Sequence, residues 1–133
     1  MEILQANWIT YLSATSVYGD HNGEWVEENS KVNPLTENGK SRLNAEKAWI
    51  NLAKKKNLPI QIFRLSGIYS QERNILEKIK SGSHQIINKP NHFFSRIHVE
   101  DISNVLKITL DSKYIKPGEI YNLSDDYPCS NIE

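Results

Sequence analysis

The stretch SRIHVED places Arg96, His98 and Asp101 within six positions, bringing a fixed cation, an imidazole and a carboxylate close together along the chain. Such a set can exchange protons or hold an anion. The same spacing also suits a strand-to-helix junction, where Asp101 near a helix start meets the positive end of the dipole and His98 pairs with it. A second group, Ser13, Thr15 and Ser16 in LSATSVYGD, puts hydroxyls at the end of an apolar run. Hydroxyls there either line a ligand cleft, since ligands bind at the carboxyl ends of parallel strands, or cap exposed backbone groups. Ser13, His98 and Asp101 together spell the members of a hydrolytic triad, but no G-x-S-x-G elbow accompanies them. Cys129 has no adjacent base, and the four histidines lack ligand spacing, so neither a thiol nucleophile nor a metal site is expected.

These residues need a scaffold, and its elements are legible. WITYLSA, Trp8 to Ala14, is a mostly apolar, β-branched run that reads as a buried strand. From Gly19 to Pro34 the chain is rich in Gly, Asn and charge without sustained periodicity, which predicts a long loop. Trp25, Glu27 and Glu28 lie in it, and the aromatic is expected to pack back on its own domain. Ala45, Ala48, Trp49, Leu52 and Ala53 then recur at helical spacing, predicting a helix from about Thr36, its N-cap, to Lys56. Lys54, Lys55 and Lys56 sit where the dipole favours cations and read as a solvated helix end. LPIQIFRLSGIY, Leu58 to Tyr69, is the second strong strand, and strand, long helix, strand predicts a right-handed βαβ crossover. Ile75, Leu76 and Ile79 mark a short helix, HQIINKP and FFSRIHV two short strands, Ile102 to Thr109 an amphipathic helix, and EIYNLS a last strand.

The 133 residues suffice for one domain and not for two. A formal net charge of zero gives no bulk attraction to nucleic acid or an anionic membrane. One cysteine permits no intrachain disulfide, and the sequence shows neither a membrane-length apolar run nor a signal-peptide pattern. A cytoplasmic protein without nucleic-acid or membrane partners is expected.

Five blocks stand in order: LSATSVYGD, PLTENGKSRLNAEKAW, FRLSGIYSQERN, FSRIHVEDI and GEIYNLSDDYP. Together they resemble the extended short-chain dehydrogenase/reductases, the NAD(P)-dependent nucleotide-sugar epimerases and dehydratases, and most closely their atypical branch. The resemblance implies an α/β fold, a partial doubly wound, Rossmann-like parallel sheet with part of a small α+β substrate lobe. The sheet portion would fall at about 8–70 and lobe elements at about 71–98 and 119–133.

The resemblance also implies a Ser/Thr, Tyr, Lys active site, in which Tyr exchanges a proton with a substrate hydroxyl, Lys lowers its pKa and the hydroxyl binds the reacting oxygen. At the matching positions this sequence has Ala14, Asn38 and Arg42. Asn is neither acid nor base and Arg stays protonated, so no catalytic residue is expected. The Gly-Pro-Gly turn common after GIY is Ser70-Gln71-Glu72 here.

NAD or NADP is implied by the resemblance, with contacts at Ser13, Arg42, Leu65, Ser66 and Gly67. None of the six glycines forms the G-x-x-G-x-x-G or G-x-G-x-x-G turn that receives a pyrophosphate. Ile9 to Ala14 therefore resembles an interior strand of a nucleotide-binding sheet whose N-terminal half is not in this sequence. The chain alone is expected not to bind the dinucleotide. Its implied partners are a separate N-terminal nucleotide-binding fragment and a nucleotide-sugar-like small molecule. A non-catalytic binding or regulatory module, or the remnant of an interrupted gene, is the alternative.

Overall fold

A computed structural model describes residues 5–85, 89–114 and 116–130. Strand β1 (Ile9–Ala14) is followed by a 3-10 turn at Thr15–Val17, a long loop, helix α1 (Glu37–Lys56) and strand β2 (Ile60–Leu65). Next come β3 (Gly67–Tyr69), α2 (Ile75–Lys80), β4 (Phe93–Phe94), β5 (Arg96–His98), α3 (Val99–Thr109), β6 (Ile120–Leu123) and β7 (Cys129–Ser130).

The main sheet has the order β1-β2-β6, and both of its pairings are parallel. The βαβ unit expected from sequence is thus present: β1, α1 and β2 in succession, with Ile9 opposite Ile60 and Ala14 opposite Leu65. Ile120–Leu123, which the sequence reading groups with the smaller lobe, pairs with β2 in this sheet. Every residue of β2 is buried. A central parallel strand needs cover on both faces, and β2 receives it. Ile60 packs with Ala53 and Leu58, while Phe63 and Leu65 pack with Ile97, Leu123 and Ile102 of α3. Phe63, 1% exposed, contributes on the order of 3 kcal/mol by burial alone.

Helix α1 starts where the sequence predicts. The Thr36 hydroxyl accepts from the Gly39 N–H at 3.0 Å, satisfying one amide that the first turn leaves without a helical partner. It ends at Asn57, whose left-handed backbone (φ 47°) closes the last turn.

One expected strand is two. The run Leu58–Tyr69 breaks at Ser66, where the Ser66 N–H still bonds Leu123 O in the main sheet, whereas the next amide, Gly67 N–H, bonds Ser95 O. Beyond that point β3 pairs in parallel with β5. The chain therefore passes from the main sheet into a second, two-stranded sheet across one peptide unit. FFSRIHV is likewise divided, β4 pairing with β7 in antiparallel fashion and β5 with β3. The strand expected over HQIINKP lies partly outside the described residues.

Candidate functional site

The register of β1 on β2 sets Ser13 beside Arg64, and α1 lies across both strands. Glu46 of α1 occupies the space between them. Its Oε1 accepts from Ser13 Oγ at 2.6 Å and from Arg64 Nε at 3.1 Å, while Oε2 lies 2.7 Å from Arg64 Nη2. Tyr18 covers the same guanidinium, with Arg64 Cζ 4.8 Å from its ring centroid, and donates its hydroxyl to Asn122 Oδ1 at 2.6 Å. The Arg64 guanidinium titrates above its ordinary value. Burial opposes the charge, but the hydrogen bond to Glu46 and the interaction with Tyr18 outweigh it.

The long loop closes onto this network. Glu28 accepts from the Asn122 N–H through Oε1 at 2.8 Å, and its carbonyl accepts from Arg64 Nη1 at 3.3 Å. The ring nitrogen Nε2 of His21 lies 3.1 Å from Tyr18 O and 3.0 Å from Lys31 O; bridging two acceptors requires that nitrogen to carry the proton. Trp25 does not pack back as expected from sequence. It is 78% exposed, and Glu28 holds this part of the loop instead.

The sequence-derived site residues separate into two groups. Asn38 and Arg42, one helical turn apart on α1, border a shallow cavity of about 420 Å³ with Tyr11 and Ser41. Gly67 borders a second cavity of about 400 Å³. The others turn inward: Ser13 is buried against Glu46, Leu65 belongs to the core beside α3, and the Ser66 hydroxyl donates to Leu123 O at 3.2 Å. Ala14 is the last residue of β1, opposite Leu65.

The second cavity has a marked chemistry. Arg73, Lys78, His84 and Arg96 line it together with Asn74 and Phe94, and among the described residues no carboxylate does. Arg96 also lies over the Phe94 ring, its Cζ 5.8 Å from the centroid. The α2 helix supplies Ile75 and Lys78, and the β3–β5 pair supplies the floor. Such a lining suits an anionic ligand with a planar group.

The SRIHVED residues divide between roles. Arg96 faces this cavity, whereas His98 caps α3, its Nδ1 accepting from the Glu100 N–H at 3.3 Å and its ring lying edge-on to Tyr69. The expected partner Asp101 is not the group that His98 Nδ1 engages. Ser13, committed to Glu46, is not joined to His98 in a triad.

Sequence reasoning missed Glu46, Arg64, Arg73, Lys78 and His84. The signal for Arg64 was available: the one charge inside a mostly apolar strand has to find a buried partner. Glu46, eight residues after Asn38 and four after Arg42, lies on that same helical face. The cavity residues gave no such signal, because three cations and an imidazole scattered over 24 positions (73 to 96) converge only through the fold. Among the described residues, no group of three or more His, Cys, Asp or Glu side chains is placed to hold a metal, and no helix is long and apolar enough to cross a membrane.

Solved structures share this fold. A functionally unknown conserved protein from Silicibacter pomeroyi superimposes with a TM-score of 0.80 at 44% identity, covering 91% of this chain and 41% of its own. The dTDP-glucose 4,6-dehydratase of Bacillus anthracis, solved with NAD, gives 0.77 at 18% identity over 94% of this chain and 42% of that one. The UDP-glucuronic acid 4-epimerase of Bacillus cereus, also solved with NAD, gives 0.78 at 20% identity over 92% and 42%. This chain thus spans less than half the length of each. No curated protein shows significant similarity to the sequence. The model of the NAD dependent epimerase/dehydratase family matches residues 2–124, nearly the whole sequence, and the chain belongs to that family.

Proposed function

We propose that this chain is a ligand-binding member of the family that has lost acid–base chemistry of its own and works together with a separate nucleotide-binding fragment. The cavity between α2 and the β3–β5 pair supports the binding half of this reading, since among the described residues Arg73, Lys78, His84 and Arg96 line it and no carboxylate does. Its ligand is the phosphate-bearing part of a nucleotide-sugar-like molecule. Arg96 and Arg73 would bind the phosphate oxygens, and Phe94 and Ile68 would offer apolar surface.

The cleft on α1 supports the loss of chemistry. Asn38 and Arg42 stand at the positions where the family resemblance puts the proton-exchanging Tyr and its Lys, and they border one cavity. Asn38 has no proton to exchange near neutrality, and Arg42 keeps its charge. Both residues can hold a polar ligand, but neither can cycle a proton.

NAD or NADP would supply hydride transfer if bound. Of the positions implied for its contacts, Ser13, Leu65 and Ser66 are already committed within the protein, leaving Arg42 and the Gly67 backbone accessible. The residues present do not form a dinucleotide cradle by themselves. A single cysteine, which permits no intrachain disulfide, supports a cytoplasmic setting.

Calorimetric titration of UDP and dTDP onto the full chain tests the reading. The expected result is saturable binding that Arg96→Ala weakens about tenfold, the value of one charge-assisted hydrogen bond. NAD(H) is expected to give no heat under the same conditions. Affinity unchanged by Arg96→Ala, or turnover of a UDP- or dTDP-sugar by the chain alone, overturns it.

A further inference from the structure

In an Asn-Gly pair the Asn side-chain amide and the following backbone nitrogen can meet with little hindrance, because Gly carries no Cβ beside that nitrogen. This sequence has two such pairs, Asn22–Gly23 and Asn38–Gly39. The fold treats them in opposite ways. Gly39 is buried in the first turn of α1, where its N–H donates to Thr36 Oγ1 at 3.0 Å. A Cβ on it would lie 2.9 Å from Pro34 Cβ and 3.0 Å from Ser16 O, so this nitrogen has no room to swing toward the Asn38 side chain.

Asn22 and Gly23 instead form an exposed tip of the loop after β1. The Glu24 N–H donates to His21 O at 3.1 Å across them, and both have positive φ, +57° and +81°. This is a type I′ turn, for which Asn-Gly is the favoured pair. The bond that closes the turn uses the Glu24 amide, and among the described residues nothing accepts from the Gly23 nitrogen.

The tip is also a point of attachment. Asp20 accepts from the Asn22 N–H at 2.8 Å and pairs with Lys89 Nζ at 2.9 Å. The Gly23 backbone sits so close to Asn91 that an added Cβ would lie 2.5 Å from Asn91 O. Lys89 and Asn91 lead into β4, whose Phe94 lines the cationic cavity.

We propose that Asn22–Gly23 is a site of spontaneous deamidation, and that its conversion releases the loop tip from the Lys89–Asn91 segment. The Gly23 nitrogen attacks Asn22 Cγ and gives up its proton; the new C–N bond closes a succinimide ring, and Nδ2 leaves as ammonia. Solvent water then opens the ring at either carbonyl. One opening leaves an aspartate, the other an isoaspartate whose main chain runs through the side-chain carbons and is longer by one atom. Either product sets a second carboxylate beside Asp20, where it competes for Lys89. The longer main chain also cannot keep both the His21–Glu24 bond and the close approach of Gly23 to Asn91, which need the spacing of an ordinary turn.

The test incubates the full chain at pH 8 beside a synthetic peptide of residues 18–27 and maps both by mass spectrometry. A gain of about 1 Da at Asn22 is expected, at a rate within about tenfold of the peptide's. Asn38 should convert more slowly than Asn22 by about tenfold or more, because the first turn of α1 must open first. Amide hydrogen exchange then compares the converted chain, separated by ion exchange, with the fresh one. The Glu24 amide should exchange on the order of tenfold faster, and the segment 89–94 should lose protection. Asn22→Gly retains a sequence the turn accepts but removes the reactive amide, and it should show neither change after the same incubation.

An Asn22 that stays intact after the peptide has converted overturns the site, and so do equal rates at Asn22 and Asn38. Conversion that leaves exchange at Glu24 and over 89–94 unaltered overturns the release. The same loosening in incubated Asn22→Gly assigns it to another cause and overturns it as well. Mass and exchange are both read on the wild-type chain, so they decide the matter even if Asn22→Gly folds poorly.

Discussion

Glu46 and Arg64 meet at 2.7 Å between α1 and the central strand, with side chains only 1% and 4% exposed. Two charges removed from water this fully are held by geometry: Glu46 also receives Ser13, and Arg64 is also bound by the Glu28 carbonyl and the face of Tyr18. Replacing one partner leaves the other charge buried without compensation. Glu46→Ala should therefore cost about 3–5 kcal/mol in urea unfolding, and Arg64→Met a similar amount. The double variant Glu46→Met with Arg64→Met should cost much less than the sum. Additive losses would show that the two residues act independently.

Gly19 permits the loop after β1 to turn back on itself. It has φ +76°, and a Cβ there would lie 1.9 Å from Asn33 O, close to the point where the Asn33 N–H bonds Tyr18 O. The obstacle is backbone and cannot rotate away. Gly19→Ala should lower stability by about 2 kcal/mol or more. Gly82→Ala is the control, because Gly82 has a similar φ of +69° but nothing within 4 Å of the added Cβ. It should cost about 1 kcal/mol, the backbone penalty alone. Equal losses in the two urea curves would count against the clash.

Asp20 ties the tip of the loop to Lys89, Oδ2 to Nζ 2.9 Å, and also accepts from the Asn22 N–H at 2.8 Å. The Asn22 amide, and after it Lys89, hold its carboxyl below the ordinary 3.8. A depressed folded-state pKa stabilises the fold at pH values above the unfolded one, about 3.9. That contribution fades as the pH falls below about 4 and is gone once the carboxyl is protonated in the folded state. Asp20→Asn should therefore melt slightly below the wild type at pH 7, and the gap should close as the buffer is taken below pH 4. A gap that stays constant across that range would locate the effect of the substitution elsewhere than in the charge. The exposed site keeps the effect small.

Much of the scaffold was legible in the residues. The apolar spacing from Ala45 to Ala53 and the hydroxyl of Thr36 define α1, because helix periodicity and capping are local properties. The two β-branched runs around it define the crossover for the same reason. The break at Ser66 was not legible. LPIQIFRLSGIY has one continuous pattern, and only the competing partners Leu123 and Ser95, distant in sequence, decide where the chain changes sheets.

The amino-acid sequence by itself determined which residues stand at the positions the family resemblance marks for proton exchange: Ala14, Asn38 and Arg42 are what they are before any folding, and the side chains of Ala and Asn have no proton to cycle near neutral pH. What only the tertiary structure decided is which polar groups remain available. Strand register and the seating of α1 turn Ser13 onto Glu46, and the fold brings Arg73, Lys78, His84 and Arg96 around one cavity. The physical reason is range: capping and periodicity act within a few residues, whereas burying an ion pair or converging cations on a ligand joins groups tens of positions apart, and only the folded chain sets those distances.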